Sequence, residues 1–594
     1  MTSAALRTAV GPGSSWLLSP YLAILVVALV VPLLGNDYWT VVASRVAVYW
    51  VLIAGLNLAV GFAGQLAIGW IALLTLGAYT ASALVVGNLG PAWHPAAALV
   101  GATVIGALAG LVVGLPALRL GGFYFAMTTL GFATILTQVA LAWEPVTGGG
   151  TGIPGPIFPH PFDSVPGFYL LCVVLAVAAT WITSNLAQSR VGRSLVALRD
   201  TEVAAESVGI SRPRLFAAMF LVSGGFGALA GGLFATLQSY LSYEAFTLDL
   251  SILFFIAILI GGRNSILGPL LGTILLTLLP EVAAPLVRWS AFLYAVLLLA
   301  IVLVIPGGIA QLIDFANRKP LPAGRTIKPR PDLLPRLAAH AEWRGPLRLQ
   351  NLVMNFDAVR AIDDVTCTLH SGRIHGLIGP NGSGKTTLLN IISGYNVPSA
   401  GSVSLGDLPL PRAEPEVRAE LGIARTFQRP RIAGELSVLD NVLVGGAIGG
   451  TATFPEIMAG LPRYRRDEAR LAEEAMTALR IVGLEALAGA RAERLQHSEL
   501  RFVEIARALM LRPRLILMDE PAAGLSAAEI AELDGLIKAL AQNGVGIVLV
   551  EHHADLIFGI CDEITVMNGG RILAEGSPAE IRRHPEVIDV YLGA

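Results

Sequence analysis

The chain has 594 residues, of which 54% are hydrophobic and only 14% are charged. A mean hydropathy of +0.67 is well above that of an ordinary soluble domain, so composition predicts insertion into a membrane. A net charge of −2 without a basic stripe argues against nucleic acid as a partner, and three scattered cysteines argue against a disulfide framework. Residues 1–312 contain 19 charged side chains and no lysine, whereas the remaining 282 residues contain the other 65. The two parts of the chain are therefore expected to meet different solvents.

Residues 1–312 are predicted to form an all-α polytopic membrane domain. A bilayer core of about 30 Å takes roughly 20 apolar residues per helix. The apolar runs predict about ten transmembrane helices, near residues 16–34, 41–60, 66–87, 95–115, 122–143, 168–187, 215–236, 250–261, 265–281 and 287–305. Five arginines between Gln188 and Arg214 place that loop in the cytoplasm by the positive-inside rule, so both termini are expected there too. Arg45 and Arg288 fall near outer helix ends, where they are expected to reach the lipid headgroups.

Glycines and polar side chains interrupt the apolar pattern in two places. GFAGQLAIGW, Gly61–Trp70, contains three glycines, and YFAMTTLGFATILTQ carries several threonines. Irregular backbone at membrane depth is tolerated where it is buried in protein or lines a cavity, so these segments are candidates for a substrate pathway. The candidate pathway residues are Asn57, Gln65, Thr128 and Thr129. Close helix packing at small residues with interhelical hydrogen bonds is the alternative.

The composition changes after residue 312. Residues 313–345 are rich in proline and mixed charge, which predicts an extended cytoplasmic linker without a core of its own. From residue 346 to 594, β-like runs alternate with helical ones, which is the pattern of an α/β domain.

GPNGSGKT follows the apolar strand IHGLI and opens the helical run TTLLNII, which is the context of a phosphate-binding loop. Glycines let backbone N–H groups approach phosphates, Lys385 can reach their outer oxygens, and Thr386 can hold Mg²⁺. The candidate nucleotide-binding residues here are Gly379, Asn381, Gly382, Ser383, Gly384, Lys385, Thr386 and Thr387. The fold expected is therefore an α/β P-loop NTPase, with ATP and Mg²⁺ as ligands.

Five further residues fit nucleotide chemistry. Asp519 ends the apolar strand LILMD and can order the Mg²⁺ shell, while Glu520 can orient or deprotonate the attacking water. Gln428 can sense the metal, so the candidate metal set is Thr386, Gln428 and Asp519. His552 can bond the γ-phosphate. Phe356 can stack on adenine, although a buried core phenylalanine is the alternative.

This order of motifs resembles the nucleotide-binding subunit of ABC transporters. PAAGLSAAE and the ending VIDVYLGA resemble the ATPase subunit of the branched-chain amino acid importers, and most of residues 40–310 resembles their permease subunit. The resemblance places Gln428 in the Q-loop, Gly524–Ser526 in the D-loop and His552 at the switch position. VAAESVG resembles the coupling loop, with Val203, Ala204, Ala205 and Gly209 as its candidate residues; a solvated loop helix is the alternative.

The resemblance implies an ATP-driven importer of the inner membrane with permease and ATPase fused. It implies a second permease subunit and a second ATPase subunit, favoured as distinct chains, together with an extracytoplasmic solute-binding protein. Substrates in such a family include branched-chain amino acids, other amino acids, amides and urea. An ABC exporter and a membrane-anchored ATPase that transports nothing are the rival classes.

The stretch LQHSELRFVEIARALM, Leu495–Met510, lies where the ABC signature belongs. The family pattern is close to LSGGQ, and the importer branch tolerates His497 at the third place. Gln496, Ser498 and Glu499 depart from the pattern, and Glu499 is expected to bring negative charge toward an anion. The resemblance implies that the signature completes the opposite subunit's site, so an asymmetric dimer with one weaker site is predicted. A helix start without a nucleotide role is the alternative.

Overall fold

The computed structural model describes residues 20–283, 292, 295–296, 299, 303, 307–316, 321, 327–337, 345–357, 359–410 and 414–589. Two compact units emerge from the contacts between residues. The first unit comprises Met1–Arg199, Arg212–Lys319 and Thr453–Pro462, and the second comprises Asp200–Ser211, Pro320–Ala452 and Arg463–Ala594. Asp200–Ser211, from the first half of the sequence, therefore belong to the second unit, and Thr453–Pro462, from the second half, belong to the first unit.

The first half of the chain is helical. Its helices are α1 Pro20–Val30, α2 Asp37–Asn57, α3 Ile71–Val86, α4 Pro95–Gly114, α5 Phe123–Ala142, α6 Glu144–Thr147, α7 Val165–Gln188, α8 Arg190–Glu206, α9 Arg212–Gln238, α10 Leu248–Gly261, α11 Leu267–Ala283 and α12 Gly308–Ala316. The two-residue strands β1 Ile153–Pro154 and β2 Tyr240–Leu241 pair antiparallel between them.

The helices follow the predicted crossings closely. Among the described residues, six helical stretches are long and apolar enough to span a membrane. Three shorter apolar helices, Pro20–Leu33, Ile71–Val86 and Leu267–Val282, fall at further predicted crossings. The tenth predicted crossing, 287–305, lies largely outside the described residues, as does Arg288.

Small residues allow the helices of the first unit to pack closely. Helix α9 carries five glycines and two alanines along the run GGFGALAGG, and all seven are buried. A Cβ added at Gly224 would lie only 2.4 Å from the carbonyl oxygen of Gly106 in α4. Backbones that approach this closely gain dispersion contacts that larger side chains would prevent. Glycine in α9 therefore serves packing, whereas the glycines after α2 interrupt a helix.

The chain between α2 and α3 is not regular helix. α2 ends at Asn57, Leu58–Phe62 form a π-helical turn, and non-helical backbone continues to Trp70. We call Leu58–Trp70 the helix break. Nine of its thirteen residues are buried and the other four are half-buried, and burial in protein is the condition under which irregular backbone is tolerated at membrane depth. The interruption predicted from the glycines of this segment is therefore present.

The second unit contains two sheets. Its strands are β3 Leu347–Phe356, β4 Val359–Leu369, β5 Ile374–Ile378, β6 Ala400–Leu405, β7 Leu408–Pro409, β8 Ile423–Arg425, β9 Leu515–Asp519, β10 Gly546–Val550, β11 Glu563–Asn568 and β12 Arg571–Gly576. Strands β12-β11-β5-β10-β9-β8 form one sheet, parallel except for β12, and β4-β3-β6-β7 form an antiparallel sheet.

Helices flank these sheets. In chain order they are α13 Lys385–Ile392, α14 Pro415–Glu420, α15 Val438–Gly445, α16 Phe454–Met458, α17 Pro462–Ile481, α18 His497–Leu509, α19 Ala527–Gln542, α20 Ala554–Ile560, α21 Pro578–Ile581 and α22 Pro585–Val587. Strands β5, β9 and β10 are buried along their whole length, as expected for parallel strands covered on both faces. Their carboxyl ends lie side by side, because Val550 pairs with both Asp519 and Leu377.

Part of the predicted linker is folded against the second unit. Pro331–Arg336 form a 3-10 helix, and Leu333, Leu334 and Leu337 are buried in the hydrophobic core of that unit. The amide of Arg330 donates to the carbonyl oxygen of Ile481 at 2.8 Å. The expectation that this segment is extended is wrong for these residues, although their leucines join the core of the second unit and form no core of their own. Proline and charge dominate its composition, but three leucines within five residues supply an apolar face.

Candidate active site

The phosphate-binding loop connects β5 to α13. Gly379, Gly382 and Gly384 all have positive φ angles, of 150°, 79° and 101°. A Cβ at Gly379 would lie 2.1 Å from the carbonyl oxygen of Met567, so only glycine fits there. Gly384 precedes the first residue of α13, and the loop therefore presents a helix N-terminus where free N–H groups favour an anion.

Lys385 is held by the loop that it follows. Its ammonium donates to the carbonyl oxygens of Gly379 at 2.8 Å and Pro380 at 2.9 Å, and it lies 3.4 Å from the Ser383 hydroxyl. Burial lowers the pKa of Lys385, whereas the nearby Glu520 and Asp519 carboxylates act in the opposite direction. The Lys385 ammonium is thus held against the backbone of the phosphate-binding loop. The remaining loop candidates differ in exposure: Asn381 and Thr386 are exposed, Ser383 is buried and Thr387 is half-buried.

The three predicted catalytic residues form one cluster. Glu520 follows β9, and its carboxylate accepts a hydrogen bond from the Gln428 amide at 2.9 Å. The other carboxylate oxygen lies 3.1 Å from Nε2 of His552. Glu520 itself adopts a left-handed backbone with φ of 48°, a conformation that costs free energy in a residue other than glycine. We call Glu520, Gln428 and His552 the catalytic cluster, because it presents a carboxylate fixed from two sides.

Asp519 lies beside the cluster, at the end of β9. It is buried, and its carboxylate is 3.8 Å from Nη2 of Arg425. Burial raises the pKa of Asp519, and the Arg425 charge opposes that rise. The Arg425 charge favours the ionised form of this carboxyl, which is the form that binds a metal.

The predicted Mg²⁺ set consists of hard oxygen donors. A hydroxyl from Thr386, an amide oxygen from Gln428 and a carboxylate from Asp519 suit Mg²⁺, which usually keeps waters and shares phosphate oxygens. Within the described part of the chain, no three His, Cys, Asp or Glu side chains are grouped to hold a metal. The three oxygen donors fit a metal that shares its coordination with nucleotide phosphates.

A cavity of about 320 Å³ adjoins the catalytic cluster. It is lined by Gln428, Arg429, His497, Glu520, Ala523 and Gly524. A Cβ on Gly524 would lie 3.2 Å from Cδ2 of His497, so the histidine packs against the predicted D-loop. His497 thus shares a cavity with the Glu520 of its own chain.

The N-terminus of α18 is capped by its own side chains. We call Leu495–Glu499 the signature segment. Glu499 is 3% exposed, and its carboxylate accepts the backbone N–H of Gln496 at 2.8 Å in a capping box. The expectation that Glu499 brings negative charge toward an anion needs correction, since this carboxylate is directed back to the start of its own helix. Ser498 is buried, and its hydrogen bond to Glu529 helps, after the Ser526 amide, to lower the pKa of that carboxyl.

Phe356 stands at the end of β3 with 45% of its surface exposed. This exposure contradicts the alternative of a buried core phenylalanine. Its stacking on adenine stays a prediction.

Charged residues of α18 that sequence reasoning did not single out hold the Q-loop. Arg501 and Glu504 are fully buried and pair at 3.3 Å. The guanidinium of Arg501 also donates to the carbonyl oxygens of Phe427 and, at 2.6 Å, Gln428. The sequence does contain a signal for this pair. Arg501 and Glu504 are opposite charges at spacing i, i+3 on an otherwise apolar helix face, where burying either charge without a partner would be costly.

The predicted coupling loop belongs to the second unit. We call Val203–Gly209 the coupling segment; it follows a kink at Thr201 in α8. Ala204 and Ala205 are buried, and the carbonyl oxygen of Val203 accepts a hydrogen bond from the Tyr395 hydroxyl. A Cβ on Gly209 would lie 1.9 Å from Cδ1 of Ile448. These contacts do not fit the alternative of a solvated loop helix.

The pathway candidates divide at the helix break. Asn57 is buried and donates to the carbonyl oxygen of Ser265 at 2.8 Å, and Gln65 donates to that of Ala63 at 3.3 Å. The Thr129 hydroxyl accepts the N–H of Gly69 at 3.2 Å, which brings α5 to the break. Thr128 instead bonds the carbonyl of Tyr124 in its own helix.

Two arginines of the first unit have specific partners. Arg199 donates to the carbonyl oxygen of Gly61, within the helix break, at 2.9 Å. Arg45 pairs with Glu281 at 3.0 Å, so the expectation that it simply reaches lipid headgroups is replaced by an ion pair.

Together, the phosphate-binding loop, the catalytic cluster and the helical membrane region define a transporter of the ABC class. Residues 40–305 match the family model of the branched-chain amino acid transport system permease component, and residues 362–523 match that of the ABC transporter ATPase. Residues 571–594 match the branched-chain amino acid ATP-binding cassette transporter model.

Curated relatives cover the ATPase part. The high-affinity branched-chain amino acid transport ATP-binding protein LivG of Salmonella typhimurium is 37% identical over 42% of this chain and 97% of its own length. The corresponding BraF of Pseudomonas aeruginosa is 36% identical over 42% of this chain and 98% of its own length. A crystal structure of a nucleotide-free ATP-binding cassette from an ABC transporter shares 32% identity, with a TM-score of 0.37 over 42% of this chain and 99% of that one.

The chain therefore belongs to the branched-chain amino acid family of ABC importers, with permease and ATPase fused in one polypeptide. It is a membrane protein that binds nucleotide, and its enzymatic class is an ATPase coupled to transport.

Proposed function

We propose that the protein takes up branched-chain amino acids, or related small solutes, across the inner membrane at the expense of ATP. The catalytic cluster is the observation that carries this proposal. Glu520 lies within hydrogen-bonding distance of both Gln428 and His552, at the same sheet edge as the loop that holds Lys385. A fixed carboxylate at that edge can take a proton from a water that attacks the γ-phosphate.

Each residue has a separate task in this proposal. The N–H groups of the phosphate-binding loop and the Lys385 ammonium bind the phosphates, and Phe356 offers an exposed ring to the adenine. Gln428 and His552 orient the Glu520 carboxylate. Thr386, Gln428 and Asp519 would hold Mg²⁺, which supplies charge neutralisation to the phosphates when bound.

The solute is proposed to cross near the helix break. Asn57, Gln65 and Thr129 place polar groups at an interruption of apolar helix, and Thr128 lies one residue from Thr129 in α5. Polar groups that line irregular backbone at membrane depth are typical of transporter binding sites. Both termini and the ATPase domain lie in the cytoplasm in this proposal, as the arginines around α8 favour.

One chain supplies one permease and one ATPase, so the working complex requires a second pair. We infer that distinct permease and ATPase subunits supply it and that an extracytoplasmic binding protein delivers the solute. The signature segment supports distinct chains: its departures from LSGGQ are tolerable if a partner carries an intact signature opposite Lys385 and Glu520.

Uptake of radiolabelled leucine into proteoliposomes tests the proposal. ATP is supplied on the side of the membrane that carries the ATPase domains, and the binding protein on the opposite side. Under these conditions the complete complex should transport leucine, and omission of the binding protein should abolish transport. Transport that needs no binding protein would contradict the importer mechanism and favour an exporter. ATP hydrolysis without any transport would favour a membrane-anchored ATPase.

Other solutes of the family are separated by competition. Excess unlabelled isoleucine and valine should suppress leucine uptake if branched-chain amino acids are the substrates. Suppression only by urea, an amide or another amino acid would move the protein to that branch of the family.

A further inference from the structure

Tyr395 connects the phosphate-binding loop to the coupling segment. It follows α13, the helix that begins at Lys385, and its amide donates to the carbonyl oxygen of Asn390 at 2.8 Å. Its hydroxyl donates to the carbonyl oxygen of Val203. Because the acceptor is a backbone oxygen, this bond reports the position of the coupling segment and not the identity of the Val203 side chain.

Arg425 connects Tyr395 to the catalytic edge of the sheet. Its guanidinium lies 5.7 Å from the centre of the Tyr395 ring, which is within the range of a cation–π contact. One of its nitrogens, Nη1, donates to Asn390 Oδ1 at 2.6 Å and to the Ser393 hydroxyl at 2.8 Å. The other, Nη2, lies 3.8 Å from the Asp519 carboxylate. Arg425 therefore contacts the predicted Mg²⁺ ligand and the tyrosine that bonds the coupling segment.

The burial of Arg425 makes these contacts sensitive to change at Asp519. The Arg425 side chain is 5% exposed. Removing a cation from water is costly unless opposite charge and hydrogen bonds compensate. The position of a buried guanidinium therefore depends on the positions of the groups that pair with it. If a metal that is bound together with nucleotide phosphates competes with Arg425 for the Asp519 carboxylate, the balance of contacts on Arg425 must shift. Tyr395 and the segment after α13 are the neighbours that would respond.

We propose that Arg425 and Tyr395 are positioning residues that couple Asp519 at the nucleotide site to the coupling segment. This inference rests on the proposed function, because coupling has meaning only if ATP drives movement. It assigns the connection to two side chains that touch neither the solute nor the reacting phosphate in this proposal. A purely structural role would instead leave the relation between hydrolysis and movement unchanged.

Tyr395→Phe tests the link to the coupling segment, because it removes one hydroxyl and keeps the ring under Arg425. In the assembled transporter, ATP hydrolysis should stay within about twofold, while leucine transported per ATP should fall about fivefold, the value of one net hydrogen bond. An unchanged ratio of transport to hydrolysis would overturn the proposal.

Arg425→Lys tests the other end. Lysine keeps the charge but cannot contact Asn390, Ser393 and Asp519 from one planar group. The amount of leucine transported per ATP hydrolysed should therefore fall at least as far as in Tyr395→Phe. The double variant should be no worse than the poorer single variant, because both interrupt one connection. Additive losses would show independent effects and contradict the coupling. Arg431→Lys is the matched control: its guanidinium lies 5.4 Å from the ring of Phe427, a ring that Arg425 also contacts, and the ratio should not change.

A second measurement does not depend on the solute. In the full-length wild-type protein, adding ATP and Mg²⁺ should change amide hydrogen exchange of residues 203–209, and Tyr395→Phe should remove that change. An equal ATP response in both proteins would refute the coupling even if leucine proved not to be the solute. A wild-type complex that hydrolyses ATP and shows the exchange response, but moves no leucine, would refute the proposed substrate alone.

Discussion

Two helix N-termini of the second unit, those of α13 and α18, are expected to face nucleotide, and they are built differently. At α13, three glycines with positive φ bring open backbone to the helix start, and a Cβ on Gly382 would meet nothing within 4 Å. At α18, Gln496 and Glu499 form a capping box that uses one of the N–H groups at the helix start. Both helix starts are positive ends of a helix dipole, but the start of α18 is partly occupied by its own side chains.

The difference teaches that a helix N-terminus is an anion site only if its own sequence does not satisfy it. A capping box stabilises the helix by pairing its orphan donors internally, and those donors are then lost to a ligand. The proposed asymmetric dimer follows from this contrast. The site built on Lys385 and Glu520 should be strong, and the site completed by the signature segment should be weak.

The strongest way to break the comparison is to inactivate the site at α13. Glu520→Gln keeps the shape of the side chain but removes the proposed base, so turnover should fall by about 10³-fold while ATP binding persists. Single-turnover hydrolysis and a nucleotide-binding assay on the same complex measure both. Asp534→Asn, which removes a surface carboxylate paired with Lys538, is the control. Near-normal hydrolysis by Glu520→Gln would remove Glu520 from the role of base and would weaken the assignment of the strong site to this chain.

Lys385→Ala should weaken the binding of ATP and not only slow its hydrolysis. Losing a charge-assisted contact to phosphate should weaken ATP affinity at this site roughly 10- to 100-fold. Titration with a fluorescent ATP analogue checks this expectation, with Lys538→Ala as a matched lysine control on the exposed face of α19. Unchanged affinity for ATP would contradict the prediction that the N-terminus of α13 binds the phosphates.

Arg501→Lys sharpens the comparison from the side of α18. The N-terminus of this helix is capped by Gln496 and Glu499, and its buried Arg501 bonds the Phe427 and Gln428 carbonyls and so positions the Gln428 side chain beside Glu520. Lysine retains the charge opposite Glu504 and loses the fork geometry, so kcat should fall about fivefold with little change in the KM for ATP. Arg512→Lys is the control, because Arg512 is exposed and lies three residues after the end of α18. A change in KM alone would contradict a positioning role.

Sequence alone predicted the helical membrane region, the α/β domain and the phosphate-binding loop, because each depends on local pattern. Glycine spacing fixes the loop at Gly379–Gly384, and the apolar strand before Asp519 places its carboxylate at a sheet edge. The meeting of Glu520, Gln428 and His552 was also predictable, since all three follow neighbouring strands of one parallel sheet.

What sequence could not supply depends on long-range partners. The pairing of Arg425 with Asp519, 94 positions apart in the chain, and the hydrogen bond from Tyr395 to Val203 have no local signature. Leu333 and Leu334 lie in a proline-rich segment whose composition suggests extension, yet the core of the second unit accepts them. For Glu499 the charge could be read from sequence, but the direction of its carboxylate could not.

The smallest expected effect tests the closed terminus directly. Glu499→Gln keeps a capping residue at the third helical position, because glutamine can also accept the Gln496 N–H, and it removes the negative charge. Ser498→Gly removes the side chain that bonds Glu529 and lets the backbone approach a phosphate more closely. Together the two substitutions should raise ATPase activity of the assembled complex about threefold, the scale of a charge near a helix terminus.

The same pair of substitutions discriminates between the two accounts of the signature segment. Glu493→Gln, an exposed carboxyl just before the segment, controls for a general effect of lost negative charge. If activity rises only in the double variant, the site that this segment completes is limited by the terminus of α18, as the asymmetric dimer predicts. If activity does not change, α18 begins without a nucleotide role, and the asymmetric dimer is contradicted.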